Sequence, residues 1–475
     1  MTATTDRAVG VPLTARIERL PLRALAPLLL GILGPGFFVN FYDSFDINVS
    51  FIQTCGQLQA GCTPQNASSW LGLPVLLSLV GYTLGALVIA PQSDRFGRRA
   101  TLLVTMLITS LGALGTLLAG NYETFVLARL LTGIGIGADL AVVNTYIGEV
   151  APSRSRARYA SATFVMSTLG ALTATWLGLL LTTEPAPWPS GLPVALAGGA
   201  FDSGWRWMYA IAVLLGIGGF LLRLRLPESP RWLLGKGRGS DADAIVSRVE
   251  AQALRHGPLP EPAAGADEVV GGKQAHRELF GNPLYRRRAG LLLAIWFIGY
   301  ITVYGFAAGF SVLLTGLGHP PAEAAMICAV GSLGFFTQGL VSARFSERLE
   351  RRHWLPVAAL VTVAGAAVVA AGGGSLTVAF IGAFLIFFGF NAWIPPTYAL
   401  SAESFPTRAR STGFGLVDGI GHLGGGVGLL AIAPLIPHLN TLAALGLMSS
   451  FLIVAAILAQ FTPRTRNRPL EEVSP

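Results

Sequence analysis

Charge is scarce in this sequence. Charged residues fill 12% of 475 positions, about half the share of an ordinary soluble protein, and that excludes a wholly water-facing surface. Lysine is nearly missing, with 2 residues against 31 arginines, a bias that points to a GC-rich bacterial genome. Cysteine is limited to three. No nucleotide-binding loop, metal-ligand cluster or nucleophile constellation is present, so neither an enzyme nor a cofactor is expected. A cleavable signal is also missing: the first apolar stretch is too long and ends without a small-residue cleavage site. It is expected to stay as an uncleaved first helix.

What the chain has in quantity is apolar length. Hydrophobic residues make up 52% and glycine contributes 58 positions, a mixture suited to close helix packing in lipid. A bilayer core about 30 Å thick takes roughly 20 apolar residues per helix. Twelve candidate spans lie near 25–52, 69–91, 100–119, 123–150, 158–182, 205–224, 289–314, 322–344, 354–373, 375–400, 411–434 and 440–461. The chain reads as an all-α polytopic membrane protein. Its expected division is a tail (1–24), six spans (25–224), a partly helical linker (225–288), six more spans (289–462) and a second tail (463–475).

The formal charge of +8 follows topology. Arg7, Arg16, Arg19 and Arg23 precede span 1; Arg95, Arg98 and Arg99 separate spans 2 and 3; Arg154, Arg156 and Arg158 follow span 4. A large group sits in 223–288, and Arg344, Arg348, Arg351, Arg352, Arg408, Arg410, Arg464, Arg466 and Arg468 complete the inner set. On the other side only Arg129 and Arg206 occur, within or at the edge of a span. This is a positive-inside distribution with both termini cytoplasmic, and it leaves no nucleic-acid footprint. The expected partners are the bilayer, a small solute and protons, with a monomer as the functional unit. Cys55 and Cys62 share the first outer loop, where a disulfide is possible and not required; Cys328 reads as packing. Asn66 in "NAS" fits a glycosylation sequon that a bacterial cell would leave idle.

An internal repeat runs through the chain. "APQSDRFGRR" (90–99) aligns with "ARFSERLERR" (343–352), and "EVAPSRSR" (149–156) with "ESFPTRAR" (403–410). Both pairs are about 250 residues apart, which argues for duplication of a six-span unit. Five landmarks then carry a resemblance: G-x-x-x-D-R-x-G-R-R between spans 2 and 3, with Ala90 for the first glycine; "LTGIGIGA" with Tyr146, Glu149 and Arg156; "PESPRWL" (227–233); "FPTRARSTG" (405–413); and "PRTRNRPLEE" (463–472), with Arg464 where the pattern has Glu. The chain resembles the major facilitator superfamily, in its sugar-porter-like and organic-solute branches. The resemblance implies two pseudo-symmetric six-helix bundles around a central cavity that opens alternately to each side. "GIGIG" reads as helix packing, since it lacks the spacing and the strand of a nucleotide loop.

The resemblance also implies a cytoplasmic gate made of Asp94, Arg95, Arg98, Arg99, Glu149, Arg156, Glu228 and Arg231 in one half. Glu347, Arg348, Arg351, Arg352, Glu403 and Arg408 form its counterpart in the other. Pairing across the bundles would close the inner mouth; Glu149 with Arg98 or Arg99, and Glu403 with Arg351 or Arg352, would form equivalent networks. The alternative is that these charges only fix topology.

Ionisable residues inside spans are functional candidates. Asp43 of span 1 and Arg129 of span 4 both fall roughly 10–15 Å below the outer surface by helix rise. Tyr42-Asp43 and Arg129 match the proton-coupled sugar-porter pattern, with Asp46 one turn on as rival carrier. Asp139, nearer the midplane, is a candidate for substrate binding or a second proton. Asp418 and His422, one turn apart in span 11, fit either a mutual hydrogen bond or transport chemistry. Span 7 contains no Gln or Asn, against the hydroxyl-binding set usual in sugar porters. The candidate pocket is instead Asn144, Tyr300, Tyr304, Asn391, Trp393 and Tyr398, with Asp418 and His422. That set suits an organic acid, an aromatic compound or an organic cation as well as a polyol. The expected function is secondary active transport by proton symport. The rivals are an organic-cation or drug:proton antiporter and a non-transporting nutrient sensor, for which 14 residues after Phe461 make a short signalling tail.

Overall fold

The computed structural model describes residues 12–21, 24–152, 156–198, 201–255, 257–262, 275–346, 348–372, 374–406, 409–466, 468 and 473–474. Glu347, Arg408, residues 467 and 469–472 of the 463–472 landmark and the side chain of Arg156 lie outside the described residues. Among the described residues, eleven helices are long and apolar enough to cross a membrane. They are α2 (Ala67–Phe96), α3 (Arg98–Leu117), α4 (Tyr122–Val150), α5 (Ala162–Thr182, begun at Arg156), α6 (Gly204–Arg223), α7 (Pro283–Gly316), α8 (Pro321–Phe345), α9 (Arg351–Ala371), α10 (Leu376–Glu403), α11 (Thr412–His438) and α12 (Thr441–Ala459). A twelfth, α1 (Gly34–Leu58), is as long but buries Asn40, Asp43, Asp46 and Asn48.

Local sequence explains several ends and breaks. Asn121 starts α4 with a reciprocal cap, its side chain accepting from the Thr124 amide, which satisfies donors that a helix start leaves open. Gly97 turns α2 into α3 at φ +100°, a conformation that L side chains avoid; a Cβ there would also meet the Glu228 carboxylate. The "GIGIG" run of α4 lies so close to its neighbours that Cβ atoms at Gly133, Gly135 and Gly137 would strike Ser78, Thr109 and Tyr82. The loop after α1 is closed by a Cys55–Cys62 disulfide.

The same pairs recur in each half: first helix on fifth, second and third on fourth, third on sixth. Two six-helix bundles result. They meet along two seams, α2 with α11 and α5 with α8, while α1 also touches α7. Leu107, Leu111, Leu214 and Leu360 are exposed on the outside, the surface that lipid covers. On the linker side, the short helix Leu13–Glu18 packs on Pro230–Gly235 and Gly239–Leu254 through Leu13, Ile17, Leu233, Ala242 and Val246. Arg16 and Arg19 both bond Glu250, at 2.6 and 2.5 Å.

Candidate functional site

The central cavity is lined by both bundles. The lining includes Phe41, Phe45, Arg129, Phe164, Tyr300, Tyr304, Phe335, Asn391, Tyr398 and His422. Its outer side is stapled by Asn48 of α1, whose amide donates to the Phe306 and Ala307 carbonyls of α7 at 2.9 and 2.7 Å. Ser311 of α7 returns two bonds, from its amide to Asn48 Oδ1 and from its hydroxyl to the Asn48 carbonyl.

On the wall made by α1 and α4, helix spacing puts Asp43 and Asp46 one turn apart, and Arg129 reaches both. Arg129 Nη1 donates to Asp43 Oδ2 at 2.9 Å, and Nη2 to the Asp43 carbonyl at 2.9 Å. Asp46 lies 3.8 Å from the same Nη1. Neither Asp46 oxygen, nor Asp43 Oδ1, has a hydrogen bond. Tyr209 supports the guanidinium with its ring, 5.8 Å from centroid to Cζ. Both aspartates are fully buried, and of the three only Arg129 lines the cavity.

Asp139 is elsewhere. It does not line the cavity; Arg223 at the end of α6 grips both its oxygens, Nη2 to Oδ2 at 3.0 Å. Asn40 and Thr105 donate to the same carboxylate at 2.8 and 2.6 Å. Of the two roles expected for Asp139, contact with the substrate from the cavity wall is therefore corrected. Sequence reasoning assigned Arg223 to the linker group, although its position at the inner end of an apolar span was the available signal. Gly36 makes the room: a Cβ there would overlap Arg223 Nη2.

In the second half Asp418 accepts from the hydroxyls of Tyr300 and Tyr82, each at 3.2 Å. Tyr82 belongs to α2, so this contact crosses the halves, as does Thr83 Oγ1 donating to the Gly419 carbonyl at 2.7 Å. His422 stacks between Tyr82 and Tyr300, with centroids 3.9 and 4.1 Å away. Its Nδ1 donates to the Asp418 carbonyl at 2.8 Å. Asn391 donates to Gln338 at 2.6 Å. Asn144 departs from expectation: it is exposed, one turn beyond Leu140, the lining residue of α4 nearest it. Trp393 also leaves the lining, because α10 breaks at that point and the indole packs on Trp296, 4.9 Å away. Tyr82, Asn48, Gln338 and the phenylalanines escaped the sequence reading, since apolar spans contain many such residues.

At the end of the bundle where α2 turns into α3, Arg98 bonds Glu149 at 2.7 Å and Asp94 at 2.8 Å. Glu228 accepts from the amides of Arg98 and Arg99, a carboxylate on a helix N-terminus. Arg99 reaches the Leu224 carbonyl, Arg231 lies 3.4 Å from Glu18, and Arg95 rests over Phe96. In the other half Arg351 lies 3.4 Å from Glu403, Arg352 donates to the Gln460 carbonyl and Arg348 covers Phe345. These pairs stay within their own halves. Asp94 takes Arg98 rather than a partner across the mouth, because the inter-half contacts described lie in the seams and at the outer staple.

Residues 28–475 match the model of the family described as "Sugar (and other) transporter". The chain belongs to that family. Among similar proteins, a glucose transport protein of Synechocystis is 27% identical over 94% of this chain and 96% of its own. A niacin transporter of Acinetobacter baylyi is 26% identical over 97% and 99%. The solved xylose transporter of E. coli, in a partially occluded inward-open conformation, superposes with a TM-score of 0.71, 19% identity and coverage of 94% and 100%. The fold is thus that of the major facilitators, and this sugar-porter-like transporter is an integral membrane protein and not an enzyme.

Proposed function

We propose that this transporter is a proton symporter for a small organic solute (a sugar, polyol or organic acid). It works by alternating access in a bacterial inner membrane, as a monomeric unit with both termini cytoplasmic. The observation that carries the coupling is Asp46, buried beside the Asp43–Arg129 pair with neither oxygen bonded. One guanidinium balances one buried carboxylate. A proton balances the other, and an uncompensated buried charge is too costly to carry across. Asp43 and Asp46 share this role on one arginine, and the cytoplasmic knots of Arg98 and Arg351 act as the gate. Solute and proton meet at Arg129, the member of the cluster that lines the cavity. The relatives named for glucose and niacin transport bracket the solute class.

A second reading, an organic-cation:proton antiporter, is favoured by Asp418, an intramembrane acid whose side-chain neighbours are neutral tyrosines and a histidine. One measurement separates the two. In proteoliposomes an inward proton gradient should drive solute accumulation, and a protonophore should abolish it. Solute driven outward by the same gradient establishes antiport and overturns symport.

A further inference from the structure

We infer that the cavity selects a flat ring bearing one carboxylate, over a sugar and over an amine. The inference rests on the transport reading above and concerns only what the cavity binds.

Its walls are rings. At the α5–α8 seam Phe164 and Phe335 sit 6.5 Å apart between centroids, joined by Phe41 and Phe45 of α1 at 6.4 and 5.1 Å from Phe335. At the other seam, α2 with α11, Tyr82, His422 and Tyr300 form a stack. The cavity lies between these two seams, so its opposed faces are aromatic. Aromatic pairs prefer offset or edge contacts at 4.5–7 Å, and a flat guest between such faces gains them on both sides.

Most of the hydroxyls and amides on the wall that a sugar would need are already engaged, with Ser78 and Tyr304 standing apart. Tyr82 and Tyr300 donate to Asp418, Tyr300 and Tyr398 share a bond at 3.4 Å, Ser44 donates to the Asn40 carbonyl, and the Asn391 amide donates to Gln338. A hexose would bring several hydroxyls out of water into this site, and each left unpaired weakens binding. A ring with a single polar group avoids that cost.

The charge on the wall fixes the sign of that group. Arg129 lines the cavity, whereas Asp43, Asp46, Asp139 and Asp418 do not. A carboxylate at Arg129 draws the guanidinium away from the two aspartates behind it. That contact frees the aspartate pair for a second proton beside the one that already balances it, so anion and proton are taken up together and the loaded carrier gains no net charge.

The test uses the purified full-length protein and three probes: benzoate, glucose and benzylamine. Benzoate should raise the melting temperature, and the other two should leave it unchanged. Phe335→Ala should weaken benzoate protection about tenfold, the loss of one ring contact; Phe164→Ala, on the facing helix of the seam, should weaken it as well. Protection by glucose or benzylamine equal to that by benzoate overturns the proposal. So does the absence of any benzoate effect, or benzoate protection that survives both substitutions in folded protein. The symport reading fails separately, when a solute that binds is not accumulated on a proton gradient.

Discussion

At the ends where the second helix of each half leads into the third, the two halves repeat one another. Arg98 bonds Glu149 in the first, and Arg351 lies against Glu403 in the second. Even the amides at the start of the third helix of each half are met by a carboxylate, Glu228 in one and Glu350 in the other. The source differs. Glu228 follows α6, whereas the corresponding position after α12 is Arg464, and Glu350 comes from the loop before α9 and also holds the Thr465 and Arg466 amides. Inside the membrane the halves part company. The first buries two arginine–aspartate pairs, Arg129–Asp43 and Arg223–Asp139. The second sets Asp418 among tyrosines and His422. A duplicated scaffold has kept its mouth and changed its interior, and the proposed symport accordingly places charge movement in the first half and ring recognition across the seams.

The largest expected effect comes from removing an arginine from the first half. Arg129→Leu leaves two buried carboxylates without their cation, a change of about 3–5 kcal/mol where the pair is fully desolvated. Thermal unfolding should show it, and both uphill transport and counterflow should be lost. Arg223→Leu should lower stability comparably, whereas Asp139→Asn with Arg223→Gln should recover much of it; stability that stays low in the double variant would argue that the pair does more than neutralise itself.

The next effects sharpen the contrast between halves. Asp43→Asn and Asp46→Asn should each abolish pH-driven accumulation while counterflow persists, and Asp418→Asn should keep accumulation with weakened solute binding. Should Asp418→Asn alone abolish accumulation, coupling belongs to the second half and the comparison is reversed. At the proposed gate, Arg98 and Arg351 are both buried. Arg98→Gln should shift cysteine accessibility between the two sides more than Arg351→Gln, in line with contacts of 2.7 and 3.4 Å; equal shifts would make the two knots equivalent. The smallest effect is on the linker clasp. Burial works against the Glu250 carboxylate, but bonds from Arg16 and Arg19 prevail and hold it below its ordinary value. A carboxylate so lowered contributes above its unfolded pKa and loses that contribution as pH falls through the folded value. Protease cleavage near Leu13–Glu18 should therefore rise only at acid pH, and Glu250→Gln should remove the pH dependence.

Much of this was legible beforehand because bilayer thickness and positive-inside charge act on composition, which a sequence displays directly. Span count, duplication and the equal depth of Asp43 and Arg129 belong to that class. Arg223 was not legible, because a residue at a span end can face the water or reach back along its helix, and only Gly36 on a distant span makes room for the second. Asn144 misled for a related reason: it has the helical phase of the cavity face but lies one turn past Leu140, where α4 has left the cavity. The break in α10 that turns Trp393 aside shows only as "IPP" in the sequence, which marks a disturbance without giving its direction.

The Asn48 staple has a consequence for the medium on either side. Its four bonds to α7 involve amides, a hydroxyl and carbonyls, all uncharged. Dissolved ions screen charges and leave such neutral bonds almost untouched. The Arg98 and Arg351 knots are built from carboxylates and guanidinium groups, which screening weakens. A rise in salt therefore leaves the α1–α7 closure as it was and bears only on the ion pairs inside each half, those of Arg98 with Glu149 and of Arg351 with Glu403.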